Sequence, residues 1–216
     1  MSQTWFECYT IEEGGLAYAR ANRDLYINMA LKIEPDREEA SQVWDRAAFA
    51  ILTAHCRFQT SVRGLHYAQT CRGRVMGREL CKVGGGMTQT KAGWLNCLPW
   101  RNVKPLLKGV GETWQAYRSR LIHLRGLRMT KASFAACLLY PFDADICCLD
   151  VWMLRGLCVQ APKRLAQYEV LESRVRSLAR GADLPLFLMQ WALWDWLRGR
   201  VETHDIWEEE STCLTE

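Results

Sequence analysis

Residues 121–157 read LIHLRGLRMTKASFAACLLYPFDADICCLDVWMLRGL, and this stretch decides the fold. A helix spanning 112–124 runs into a tight turn at Gly126, where the missing Cβ frees the backbone. A second, mostly apolar helix spans 130–140 and has to stop at Pro141, which cannot continue it. A short polar loop and an apolar run follow, closing on Asp150. An aspartate at the head of DVWMLRGL is a natural helix N-cap, because its oxygens accept from the first unpaired backbone N–H groups.

Outward from this stretch, helical periodicity dominates. In 38–54 the apolar residues fall at 43, 44, 47, 48, 51 and 52, a stripe of period 3.6. A polar break precedes a helix over 60–68. Residues 71–94 are rich in Gly and Arg, and Gly84–Gly86 ends whatever precedes it. The short apolar segment 103–107 has Pro105 placed for a helix start. Helices over 162–179 and 184–198 complete the chain. Strand-like alternation is nearly absent and there are no repeats, so the fold class is all-α.

At 216 residues with 49% hydrophobic and 24% charged residues, the composition is that of a globular chain and excludes a disordered one. No apolar stretch approaches the roughly 20 residues of a membrane span. The first residues, MSQTWFECYTIEEGG, show no basic region followed by an apolar run, so no signal peptide is expected. A cytoplasmic monomer follows, nucleoid-associated or in the cytoplasm of a virus-infected host. Ten cysteines without a C-x-x-C pair are expected to be reduced, mostly buried thiols, with no zinc site. The net charge of +4 conceals an asymmetry. Residues 55–131 hold 15 Lys/Arg against 2 Asp/Glu, whereas the remainder holds 13 against 22. Such a localised positive field attracts a polyanion, and DNA is the expected partner.

The unit LRGLRMTKA followed by the Asp150 helix resembles the helix-hairpin-helix, Gly/Pro-rich loop and aspartate signature of the DNA glycosylase superfamily that includes endonuclease III and the 8-oxoguanine DNA glycosylases. Lys131 and Asp150 lie 19 positions apart, as in that signature. LDVWM is similar to its aspartate turn, with Trp152 where His is common, and AAFAILTAHCRFQTSVRGLHYA resembles its upstream helix pair. The resemblance covers about residues 40–160. It implies a two-lobed helical fold with a central cleft: a helical-barrel domain over 41–160 carries the hairpin at about 112–140, and 1–40 plus 161–216 form the second lobe.

The resemblance further implies excision of a damaged or modified base, as in base-excision repair, with the base flipped out of the duplex. Lys131 would attack C1′ as an unprotonated amine, giving AP lyase activity, with Arg128 and the hairpin's helix N-terminus lowering its proton affinity. Asp150 would deprotonate the nucleophile or stabilise positive charge on the sugar. The family hairpin L-P-G-V-G-x-K-x-A aligns without gaps on residues 124–132, and puts Thr130 where the lysine belongs. Spacing to Asp150 selects Lys131; hairpin register selects Thr130. Gly126, Arg125, Arg128, Thr130, Arg118 and Arg120, with Tyr117, are the candidates for the DNA backbone. Gln59, Phe58 and His55, in the expected turn over 55–60, would fill the gap left by the base. Trp191, Trp194 and Gln190 would line its pocket, with Asp195 as a further edge reader; His204 and Asp205 could also approach the cleft. Cys158 and Cys213 alone follow Asp150, too few for a four-thiolate cluster, so no cofactor is expected. Two other readings stay open: a transferase of the same fold elaborating modified thymines in viral DNA, and a non-catalytic DNA-binding module.

Overall fold

The periodicity of the sequence becomes eleven α-helices in a computed structural model that describes residues 11–199. They are α1 Leu16–Ala21, α2 Arg23–Ile33, α3 Ala40–Leu52, α4 Phe58–Thr70, α5 Gly77–Lys82, α6 Thr88–Cys97, α7 Trp114–Leu121, α8 Met129–Leu139, α9 Val151–Gly156, α10 Leu165–Ala182 and α11 Leu186–Arg198. A π-turn, Ile11–Gly15, precedes α1, and a 3₁₀ turn, Lys104–Leu106, lies between α6 and α7. No strand occurs among the described residues. No described helix is long and apolar enough to cross a membrane.

Two helices have almost no solvent face. In α8 every residue from Ala132 to Leu139 is buried, and in α11 every residue from Leu186 to Asp195. A helix that is apolar all round belongs inside a protein. α8 packs on α3, whose apolar stripe covers it, and on α7. α11 packs on α1, α2, α9 and α10. One continuous hydrophobic cluster joins them.

Local chemistry sets the boundaries. α3 starts after Glu39, whose carboxylate accepts from Ser41 N–H, and α7 starts after Thr113, whose hydroxyl accepts from Ala116 N–H. α4 starts at Phe58, earlier than the periodicity suggests. The Phe58 ring packs on Phe49, Phe134 and Trp194 and draws the first turn inward. α1, α2, α5 and α6 are helices the periodicity did not single out. Of the eight described cysteines, all free, Cys137, Cys147 and Cys148 are buried while Cys81, Cys97 and Cys158 are exposed. The expectation of mostly buried thiols is therefore corrected.

The second correction concerns α7. Arg118, expected to meet a DNA phosphate, is fully buried and ion-paired with Glu172 of α10. Glu172 Oε1 also accepts from Cys147 N–H at 2.9 Å. The pair ties α7, before the hairpin, to α10. Tyr117 is fully buried too, its hydroxyl donating to Leu106 O. Arg120 directs its guanidinium to Leu107 O at 2.7 Å and to Glu112 at 2.8 Å. Tyr117 and Arg120 brace the segment around residues 105–112, while Arg118 is spent on Glu172; the buried Arg118 and Tyr117 are not available to the DNA backbone. Removing one partner of a buried pair leaves an uncompensated charge. Arg118→Met or Glu172→Leu alone is expected to cost about 3–5 kcal/mol in urea unfolding, and the double substitution much less.

Candidate active site

Asp150 is held by two helices at once. Its Oδ1 caps α9, accepting from Trp152 and Met153 N–H at 3.0 Å each. Its Oδ2 accepts from the indole N–H of Trp194, in α11, at 2.9 Å. The expected N-cap is present, and the second oxygen has a fixed donor from a distant part of the chain.

Lys131, in the first turn of α8, turns inward. Its Nζ donates to Thr53 Oγ1 at 2.7 Å and lies 5.7 Å from the centre of the Phe134 ring. Burial holds this amine below the usual lysine value of 10.5; Cys148 and Asp150 oppose that shift and Lys91 adds to it. The cause is thus desolvation, with Lys91 of α6 as the repelling cation, rather than Arg128. Lys131 and Asp150 line one cavity of about 400 Å³ without being ion-paired to each other.

The cavity is walled by aromatic and apolar groups, with Phe58, Phe134, Trp191 and Trp194 among them. Trp194 meets Phe58 edge-on at 5.1 Å, and the Arg198 guanidinium stacks over it at 4.2 Å. Trp191 is nearly fully buried against Phe187 and is wall more than platform. Gln190 lines the same cavity, 3% exposed, with its Oε1 lacking a hydrogen-bond partner. A buried acceptor of this kind favours a ligand that brings an N–H. Asp195 is not among the lining residues. It accepts from Tyr26 OH at 2.8 Å and serves the packing of α11 on α2, because residues five apart on a helix diverge by about 140°.

A second cavity, about 600 Å³, adjoins the first across Lys131, Asp150 and Val151. It is lined by Gly126, Arg128 and Thr130 of the hairpin, by His55 and Met87, and by apolar residues. Thr130 reaches only this cavity, whereas Lys131 lines both. Gly126 has φ +88°, and a Cβ there would meet the Trp94 side chain at 2.9–3.0 Å, so the turn needs glycine on both counts. Arg125 and Arg128 are exposed on the hairpin.

The turn between α3 and α4 separates the three gap candidates. His55 is exposed, has φ +53° and lines both cavities. Phe58 is packed into the aromatic wall rather than held free as a wedge. Gln59 is exposed in the first turn of α4 and lines neither cavity. His204 and Asp205 lie outside the described residues. Sequence reading missed Thr53, Phe134, Cys148, Met87 and Arg198. Phe134 is three residues beyond Lys131 and Arg198 four beyond Trp194, so helical spacing could have found both. Thr53, Cys148 and Met87 carry no such signal.

No protein-family model matches the chain, and no curated protein matches it by sequence. Solved structures do match. The 8-oxoguanine DNA glycosylase of Thermotoga maritima aligns at 19% identity with a TM-score of 0.70, covering 86% of this chain and 95% of that one. The 8-oxoguanine glycosylase/lyase of Methanocaldococcus jannaschii, in complex with a 15mer DNA containing 8-oxoguanine, aligns at 18% with a TM-score of 0.73, covering 86% and 98%. The 8-oxoguanine DNA glycosylase of the same organism, in a second structure, gives 17%, 0.72, 87% and 93%. The all-helical fold of this chain is the fold of those enzymes.

Because the folded protein disfavours the charged Lys131 amine, that group costs stability at low pH. The cost is full below its lowered folded pKa and fades as pH rises toward the ordinary lysine value. Lys131→Met is therefore expected to be more stable than wild type at pH 6–7, with the difference shrinking toward pH 10. Denaturant unfolding across that range measures it.

Proposed function

We propose that the chain is a DNA glycosylase with lyase activity, taking a damaged or modified base into the 400 Å³ cavity and attacking its sugar with Lys131. The observation that carries this reading is the meeting of a desolvated lysine amine and a carboxylate at one aromatic-walled cavity. Breaking the C1′–N bond calls for three things: a place for the extruded base, a nucleophile with a free lone pair, and negative charge near the sugar. Trp194 and Phe58 offer ring surface for the base, and Gln190 offers the unpartnered acceptor for an N–H on its edge. Lys131 then bonds to C1′ as the glycosidic bond breaks and the base departs with a proton. The Asp150 carboxylate, already fixed by three donors, faces the positive charge that develops on the sugar.

The DNA would lie across the hairpin, where Gly126, Arg125, Arg128 and Thr130 meet the backbone, and along the cleft between the 41–160 domain and the other lobe. Phosphate contacts there would make binding strongly salt-dependent. His55 is the gap-filling residue favoured by position, with exposed Met87 beside it at the second cavity. The relatives in fold that act on 8-oxoguanine make oxidised purines the first duplexes to assay.

A screen of duplexes bearing different modified bases, read for base release and strand cleavage, tests the reading. Lys131→Ala is expected to abolish strand cleavage. Asp150→Asn keeps a capping oxygen for α9 and should stay folded, yet lower base release by about 100-fold or more. Retention of the base with an altered mass would instead make the chain a base-modifying transferase. Binding without any reaction would make it a DNA-binding module.

A further inference from the structure

Two polar side chains at the turn between α3 and α4, Thr53 and Lys91, are used by none of these steps. The Thr53 hydroxyl donates to Ala50 O at 2.9 Å, so its proton is committed to the backbone. Its oxygen can then only accept from Lys131 Nζ, at 2.7 Å. A neutral Lys131 amine must spend one N–H on Thr53, which leaves its lone pair pointing away from the hydroxyl. Behind the turn sits Lys91 of α6, only 2% exposed. Its Nζ donates to Leu52 O at 2.8 Å and to Cys56 Sγ at 2.9 Å. Leu52 is the last residue of α3, and its carbonyl has no partner within the helix. One buried side chain therefore fastens both ends of the turn that carries Thr53.

We propose that Thr53 and Lys91 form a positioning device for the Lys131 amine, Thr53 aiming its lone pair into the cavity and Lys91 locking the turn that holds Thr53. This rests on the reading of Lys131 as nucleophile. Neither residue needs to touch the substrate; both act through Lys131. Lys91 has a second effect, because its positive charge opposes protonation of Lys131. The other groups facing the amine are Cys148 and Asp150 from the segment before α9 and Cys56 from the turn, all favouring the protonated form, with His55, Arg57 and Arg198 lining the same cavity. Substitution at Thr53 and at Lys91 should thus move the pH response in opposite directions. Losing the Thr53 acceptor removes a bond that favours the ammonium and lowers the midpoint. Losing Lys91 removes a repelling charge and raises it.

Borohydride trapping on a duplex with an abasic site tests this independently of which base is recognised. Single-turnover trapping rates are measured across pH 5–10 for wild type, Thr53→Val, Thr53→Ser and Lys91→Met. Thr53→Val is expected to lower the plateau rate about tenfold or more and shift the midpoint down. Thr53→Ser is expected to restore most of the rate, and Lys91→Met to shift the midpoint up. A Thr53→Val enzyme with wild-type plateau and midpoint overturns the role of Thr53. A Lys91→Met midpoint at or below the wild-type value overturns that of Lys91. Absence of trapping by the wild type, or trapping unchanged in Lys131→Ala, refutes the nucleophile itself and the proposal with it. Unfolding curves of Thr53→Val and Thr53→Ser separate a folding defect from the serine rescue.

Discussion

The hydrogen bond from the Trp194 indole to Asp150 is the contact on which the site depends. Asp150 closes a loop that began at the hairpin, and Trp194 belongs to the last described helix, 44 residues further on. The bond pins the N-terminus of α9 to α11 and sets the width of the cavity between α8 and α11. It also completes the solvation of a carboxylate removed from much of its water. Two backbone N–H groups and one indole N–H replace water on the inner side, so both carboxylate oxygens have donors.

Against that satisfied acid stands an unsatisfied base. Lys131 has one neutral acceptor and no ion-pair partner, and sits among aromatic and thiol groups. An ion pair with Asp150 would favour the protonated amine. The fold instead keeps the two groups on the same cavity and apart, as the proposed nucleophile would require. The same logic explains Gln190, buried with an oxygen left open. The buried Arg118–Glu172 pair is likewise joined only through Nη1 and Oε1, with Arg118 Nε and Nη2 and Glu172 Oε2 left without a hydrogen bond.

How much of this was legible in the sequence depended on the range of the interaction. Asp150 as a cap, Gly126 as a turn and the α8 stop before Pro141 follow from chemistry within four residues, and were readable. Lys131 was readable only as one of two alternatives, because hairpin register alone could not fix which side chain of α8's first turn faces the cavity. Arg118 was misread: its position suggested a surface charge, while its partner Glu172 lies 54 residues away. Gln59 was placed in a turn that ends two residues earlier, since Phe58 is drawn into a cluster of rings that no local pattern reveals. Thr53 and Lys91 were invisible for the same reason: both act through contacts 35–78 residues distant in sequence.

The central claim is that the Lys131 amine bonds to the sugar carbon. It is tested most directly by reducing the protein–DNA adduct, digesting it and locating the modified residue by mass spectrometry. The account predicts the sugar remnant on Lys131. A remnant on another lysine or on the terminal amine would contradict it.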